Sequence, residues 1–150
     1  MRRFVPMTPG DLPEVLAIEE QAFADPWTQA HFEGELKNRH GHIDLLRAEQ
    51  GELLGYIVYW TVVDEAQILD VAVATTHTRQ GYGRALVEHA LDTARRLGCR
   101  SALLEVGRSN RAAITLYEAL GFQPTTVRKG YYAHNGEDAL LMRRALEIAA

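Results

Sequence analysis

An α/β chain of the α+β kind, with a mixed but mostly antiparallel sheet of about seven strands flanked by about four helices, is predicted by three observations. Apolar residues alternate with period two through 43–48, 53–63 and 66–73, three strands in succession with no helix between them. A single strand–helix–strand unit follows over residues 66–106, and two more strand patterns, 122–132 and 138–143, close the chain. The resulting order is β-α-α-β-β-β-α-β-α-β-β.

Taken in order, Phe4-Val5 before Pro6 reads as a short first strand, and Thr8-Pro9-Gly10-Asp11 offers caps for a helix through Leu12, Val15, Ile18 and Phe23. Asp11 and Glu14 have the spacing of a capping box. Ala24-Asp25-Pro26-Trp27 breaks that helix, Thr28 caps a second one carrying Phe32 and Leu36, and Asn38 to Gly41 forms a turn. Gly51 and Asp64 occupy the turns of the meander. Gly81 to Leu97 places Leu86, Ala90, Leu91 and Ala94 at helical spacing and ends at Gly98, a residue suited to a left-handed cap. Ala102 to Val106 is a strand, and Asn110 to Leu120 a helix stopped by Gly121.

The chain has 150 residues and 47% apolar content, enough for one shared core, so residues 1–150 are expected to form a single domain. A net charge of −4, with its 16 basic residues scattered, argues against nucleic acid as a partner. The lone Cys99 has no disulfide partner and is expected to be an inert, buried thiol. The start lacks a signal-length apolar stretch, and no run approaches the roughly 20 apolar residues that cross a bilayer. The expectation is a cytoplasmic protein, a monomer or weak dimer, with no membrane partner.

The stretch Thr78-Arg79-Gln80-Gly81-Tyr82-Gly83-Arg84 joins a strand to the start of a helix. A first helical turn carries N–H groups without helical acceptors and the positive end of the macrodipole, and Gly81 and Gly83 remove side chains that would block a phosphate. Arg79 and Arg84 add positive charge. An isolated Gly-x-Gly is as often a plain turn, so context must decide. A dinucleotide fold would want glycine where Leu86 stands, and a P-loop would need Gly-Lys-Ser/Thr, which is absent.

This loop, followed by Asn110-Arg111-Ala112-Ala113-Ile114-Thr115-Leu116-Tyr117-Glu118-Ala119-Leu120-Gly121-Phe122, resembles the GNAT superfamily of N-acetyltransferases, in element order over residues 2–144. The family loop commonly starts with Gln or Arg where Thr78 stands. Ile18-Glu19-Glu20-Gln21-Ala22-Phe23 with Pro26-Trp27, Leu103-Leu104-Glu105-Val106, Arg128-Lys129-Gly130-Tyr131-Tyr132 and Glu137-Asp138-Ala139 are similar, more specifically, to bacterial ribosomal-protein-alanine N-acetyltransferases of the RimI type. The resemblance implies acetyl-CoA as co-substrate, no metal, and a ribosomal small-subunit protein's N-terminal alanine as acceptor.

The same resemblance assigns roles. A chain-terminal amine, with a pKa near ~7.7 to 8.0, must lose a proton before it attacks. Glu105 is the matched general base, acting directly or through water, with Asp70 and Glu137 as substitutes; its ordinary alternative is an exposed strand glutamate. Tyr117 is the matched acid for the departing thiolate, its alternative being a core aromatic. Backbone N–H groups of Val71, Ala72 and Val73 are expected to meet the pantetheine and thioester carbonyl, and the loop Arg79 to Arg84 the pyrophosphate. Asn110 is either a cofactor contact or simply an N-cap. Trp27, Tyr131 and Tyr132 are candidates for the acceptor groove, although adjacent Tyr131 and Tyr132 face opposite sides of a strand. His40 and His42 lack a third ligand at metal spacing. Two rivals remain open: a GNAT enzyme acting on a small amine, and a non-catalytic acyl-CoA-binding module.

Overall fold

The computed structural model describes residues 2–78, 80–132 and 137–147, with 130–132 as backbone only. The elements are β1 Arg3–Pro6, α1 Leu12–Ala22, α2 Gln29–Leu36, β2 Gly41–Arg47, β3 Leu53–Val62, β4 Glu65–Val73, α3 Tyr82–Arg96, β5 Ser101–Gly107, α4 Arg111–Ala119, β6 Gln123–Tyr132 and β7 Glu137–Ala145. Number, type and order match the expectation, and boundaries move by two residues at most. The strands run β1-β2-β3-β4-β5-β7-β6. β4 pairs with β5 in parallel, while β1–β2, β2–β3, β5–β7 and β6–β7 are antiparallel. That β7 lies between β5 and β6 is a product of long-range pairing that strand patterning does not encode.

Two compact units are distinguished: Met1–Trp60 with Asp70–Ala90, and Thr61–Leu69 with Leu91–Ala150. In the first, β3 is buried continuously from Leu53 to Tyr59, and Val15, Phe32, Leu45, Leu46, Leu86 and Val87 pack in the same core. Gly55 on β3 is required by close packing, since a Cβ there would lie 2.5 Å from the Ala72 carbonyl oxygen and 3.1 Å from Leu86 Cδ1. In the second, Ala102, Leu104 and Val106 of β5 bury the alternating face that periodicity predicts, together with Phe122, Ala139 and Met142. Cys99 is fully buried, and burial raises its thiol pKa, consistent with an inert group.

The helix ends follow the expected chemistry with one correction. Thr28 Oγ1 accepts from the His31 N–H (3.2 Å) and Asn110 Oδ1 from the Ala113 N–H (3.2 Å), so both are N-caps. Gly98 (φ 91°) and Gly121 (φ 91°) end their helices in the left-handed region, with Cys99 N–H donating to Ala94 O and Phe122 N–H to Tyr117 O. The capping box lies one turn earlier than Asp11 and Glu14 would place it. Asp11 Oδ2 accepts from the Thr8 N–H (2.8 Å) and hydroxyl (3.0 Å), while Arg47 binds Asp11 (2.7 Å) and Glu14 (3.0 Å). Asp11 thus serves the Thr8 box through Oδ2 and Arg47 through Oδ1, while the Glu14 carboxylate is held by Arg47.

Candidate active site

The cofactor side begins where β4 leaves its partner. Among the described residues the β4–β5 register runs from Glu65↔Ser101 to Ile68↔Leu104, short of Val71 to Val73. Strand alternation sorts those three amides. The carbonyl of Ala72 faces Gly55, and the Ala74 N–H donates to Leu54 O (2.9 Å), so Ala72 and Ala74 turn toward β3. Val71 and Val73 turn to the other edge, where the Val71 N–H donates to the Asp70 carboxyl. Val73 is therefore the amide best disposed to receive an outside acceptor.

After Val73 a turn of 3₁₀ helix, Thr75–His77, leads into the loop, and α3 starts at Tyr82. Gly81 holds φ at 81°, a conformation only glycine adopts without strain, and its carbonyl accepts the first helical bond from the Ala85 N–H (3.1 Å). The N–H groups of Tyr82, Gly83 and Arg84 precede that bond, as an anion seat requires. Gln80 and Gly81 are exposed, so the seat opens to solvent. Arg84 contributes less than its charge suggests, because its Nε pairs with Glu88 Oε1 at 3.1 Å, one turn along α3. Tyr82 packs beneath the Arg2 guanidinium, 5.3 Å from the ring centroid, which assigns its ring a structural contact. Arg79 lies outside the described residues.

The second unit carries the proposed acid and base. Glu105 sits on β5 opposite Leu141 of β7, its side chain 20% exposed, and Arg128 of β6 reaches Glu105 Oε1 at 3.1 Å. The Arg128 guanidinium thus holds the Glu105 carboxylate by an ion pair. Tyr117 on α4 is half-buried with its ring 5.9 Å from Phe122, edge to face, so the aromatic body does pack. Asn110 caps α4 as described. The backbone of Tyr131 and Tyr132 belongs to β6, while their side chains fall outside the description.

The substitute bases fare differently. Glu137 accepts from the Ser109 N–H through Oε1, and its carboxylate lies 2.9 Å from where a Gly107 Cβ would be, so it serves as a clamp between β5 and β7. Asp70 is 8% exposed, and burial first, then the neighbouring Glu19 carboxyl, push its pKa up to about 9. Holding a proton at neutral pH, it cannot take one, which removes it as a general base. His40 and His42 do not converge: His40 Nε2 accepts from Arg39 (3.3 Å), whereas His42 stacks on Tyr59 at 4.6 Å. Among the described residues no group of three metal-ligating side chains occurs.

Trp27 is half-buried, its ring stacked on His31 at 3.8 Å and tilted against Phe32 at 5.2 Å. Its backbone N–H donates to Glu19 Oε2 (2.9 Å). Glu19, Tyr56 and Arg128 are the residues that sequence reasoning left without a role. For Glu19 a signal existed: it stands four residues after Val15 and seven after Leu12, on the apolar stripe of α1, where a carboxylate demands buried partners.

The acetyltransferase (GNAT) family model matches residues 12–122. The chain is 39% identical over 134 residues, 88% of this chain and 89% of the relative, to the [ribosomal protein bS18]-alanine N-acetyltransferase of Escherichia coli strain K12. It is 33% identical over 124 residues, 81% of this chain and 82% of the relative, to the enzyme of that name from Haemophilus influenzae. Its structure is similar to the crystal structure of the ribosomal-protein-S18-alanine N-acetyltransferase from Escherichia coli, at TM-score 0.91 and 36% identity over 100% of this chain and 97% of that one. Ard1 from Thermoplasma volcanium, 27% identical, covers 97% and 98% at TM-score 0.89. An amide-lined loop opening α3, a parallel strand pair at its base and likeness along nearly the whole chain agree on one conclusion: this protein belongs to the GNAT family and is an N-acetyltransferase.

Proposed function

We propose that this enzyme transfers the acetyl group of acetyl-CoA to the N-terminal alanine of a ribosomal small-subunit protein in the cytoplasm. The observation that carries this reading is the 39% identity, over 88% of this chain and 89% of the relative, to the Escherichia coli enzyme whose name specifies that acceptor. The family match also runs through both compact units, which supports reading 1–150 as a single acetyltransferase domain.

In the proposed reaction, the amides that open α3 hold the pyrophosphate, and the Val73 N–H receives the thioester carbonyl. Glu105, steadied by Arg128, accepts the amine proton directly or through water. The amine lone pair forms the new C–N bond, the C–S bond breaks, and the thiolate leaves with a proton from Tyr117. Trp27 and the Tyr131-Tyr132 segment border the acceptor, and Asn110 orders the start of α4 beside the motif that supplies Tyr117.

The test is mass spectrometry of products from acetyl-CoA offered with an alanine-initiated peptide, the same peptide initiated by glutamate, a polyamine and an aminoglycoside. Acetylation at the alanine amine with little product elsewhere is expected. Preferential acetylation of either small amine would overturn the assignment.

A further inference from the structure

Three carboxyl-bearing or hydroxyl side chains meet in the first unit at a place that reaction does not use. Glu19 of α1 is 1% exposed; its Oε1 accepts from the Tyr56 hydroxyl at 2.6 Å and its Oε2 from the Trp27 N–H at 2.9 Å. Its third neighbour is the Asp70 side chain of β4, hydrogen-bonded to it. Two carboxylates cannot share a hydrogen bond unless one holds a proton. Both other bonds to Glu19 use it as an acceptor, which favours the anion there, so the proton belongs to Asp70. Among the described residues Asp70 Oδ2 is buried without a hydrogen-bond donor, a setting that disfavours a second anion beside Glu19.

We propose that the Glu19–Asp70 carboxyl pair is the positioning device of the acceptor side, fixing the Trp27 segment to the strand that carries Val73, the amide assigned above to the thioester carbonyl. Only Glu19 among the described groups binds the segment between α1 and α2 by its side chain while also reaching β3 and β4. An amide in its place keeps one acceptor oxygen for two donors, so either the Trp27 N–H or the Tyr56 hydroxyl loses its partner. This inference rests on Trp27 bordering the acceptor, as proposed above.

The titratable groups facing Asp70 are Glu19 from α1 and Tyr56 from β3. Burial and the two carboxyls raise the Tyr56 hydroxyl far above its ordinary value, so it does not titrate in the range where Asp70 does. When Asp70 loses its proton near pH 9, two adjacent buried anions repel and the anchor of Trp27 loosens.

Two readouts test this on the full chain. In steady-state kinetics with the alanine-initiated peptide, Glu19→Gln should raise the peptide KM about tenfold, with kcat and the acetyl-CoA KM changing less than about threefold. Asp70→Asn, whose amide donates to Glu19 at every pH, should keep the neutral-pH KM. It should also abolish the rise in peptide KM that the parent shows above pH 9. In a Trp60→Phe background Trp27 is the single remaining tryptophan, so acrylamide quenching of its fluorescence reports the segment without any turnover. Quenching should grow above pH 9 in that background and stay flat when Asp70→Asn is added.

A folded Glu19→Gln variant with unchanged peptide KM and quenching would overturn the proposal, as would a loss confined to kcat. So would an alkaline change that Asp70→Asn leaves in place, a comparison that decides the matter even where Glu19→Gln fails to fold. If the parent enzyme ignores the peptide, the acceptor assignment fails while quenching still judges the carboxyl pair.

Discussion

Replacing Gly55 with alanine tests how tightly β3 sets the position of the cofactor strand. The added Cβ would sit 2.5 Å from Ala72 O and 3.3 Å from Val73 Cα, against 3.4 Å or more for ordinary contact, so backbone must retreat by about 0.9 Å at Ala72. Neither neighbour is a flexible side-chain tip. Overpacking of this kind costs about 1–3 kcal/mol, and at about 2–4 °C per kcal/mol for a chain of this size the melting temperature should fall by about 2–12 °C. Displacing a donor strand by about 1 Å should also lower kcat about 10²-fold, since misplacement on that scale forfeits the oriented geometry of attack. Gly34→Ala is the control: it lies within α2, a Cβ there meets nothing within 4 Å, and it should stabilise by about 0.5–1 kcal/mol. The assay pairs thermal unfolding with initial rates at saturating acetyl-CoA and peptide. A Gly55→Ala enzyme that melts and turns over like the parent would refute the claim that β3 holds Val73 in place.

Glu105→Gln should lower kcat by about 10²- to 10⁴-fold, read from initial rates, and Tyr117→Phe should lower turnover while leaving the unfolding transition in place. Asn110→Ala should cost about 1 kcal/mol in denaturant unfolding through loss of the α4 cap, with a rise in acetyl-CoA KM only where the side chain also touches cofactor. The pH dependence of stability should separate the buried Asp70 from the half-buried Asp44. Asp70 is raised in the fold, so the unfolded chain releases its proton first; its contribution is greatest below about 3.9 and falls as pH climbs toward about 9, and Asp70→Asn should flatten that decline in melting temperature. Asp44 has the opposite sign. Hydrogen bonds from His89 (2.8 Å) and Tyr59 (2.7 Å) outweigh its desolvation and hold its carboxyl below the ordinary range, so the stability it supplies disappears as pH falls below about 3.9 through the lowered value. Asp44→Asn should therefore lose least stability at the acid end.

Local chemistry was sufficient for much of this protein. The sequence pattern placed all seven strands and four helices: β4, β5 and α3 each bury one regular face, and β3 reads as a strand from a continuous apolar run. Thr28 and Asn110 began their helices and Gly98 and Gly121 ended theirs, as their side chains, or lack of one, dictate. The glycines of the α3 loop and the Asn110–Phe122 run were likewise readable, since amide access and capping are properties of a few consecutive residues. Partner choice was not. Arg128 is 23 positions from Glu105 and Asp70 is 51 from Glu19, and only the tertiary fold, with β7 between β5 and β6 and Glu19 of α1 meeting Tyr56 of β3 and Asp70 of β4, brings such groups together. Asp70 shows the difference most sharply. As a letter in a strand it qualified as a spare base; buried beside Glu19 it becomes an acid, because a low-dielectric interior shared with another carboxyl penalises a second negative charge.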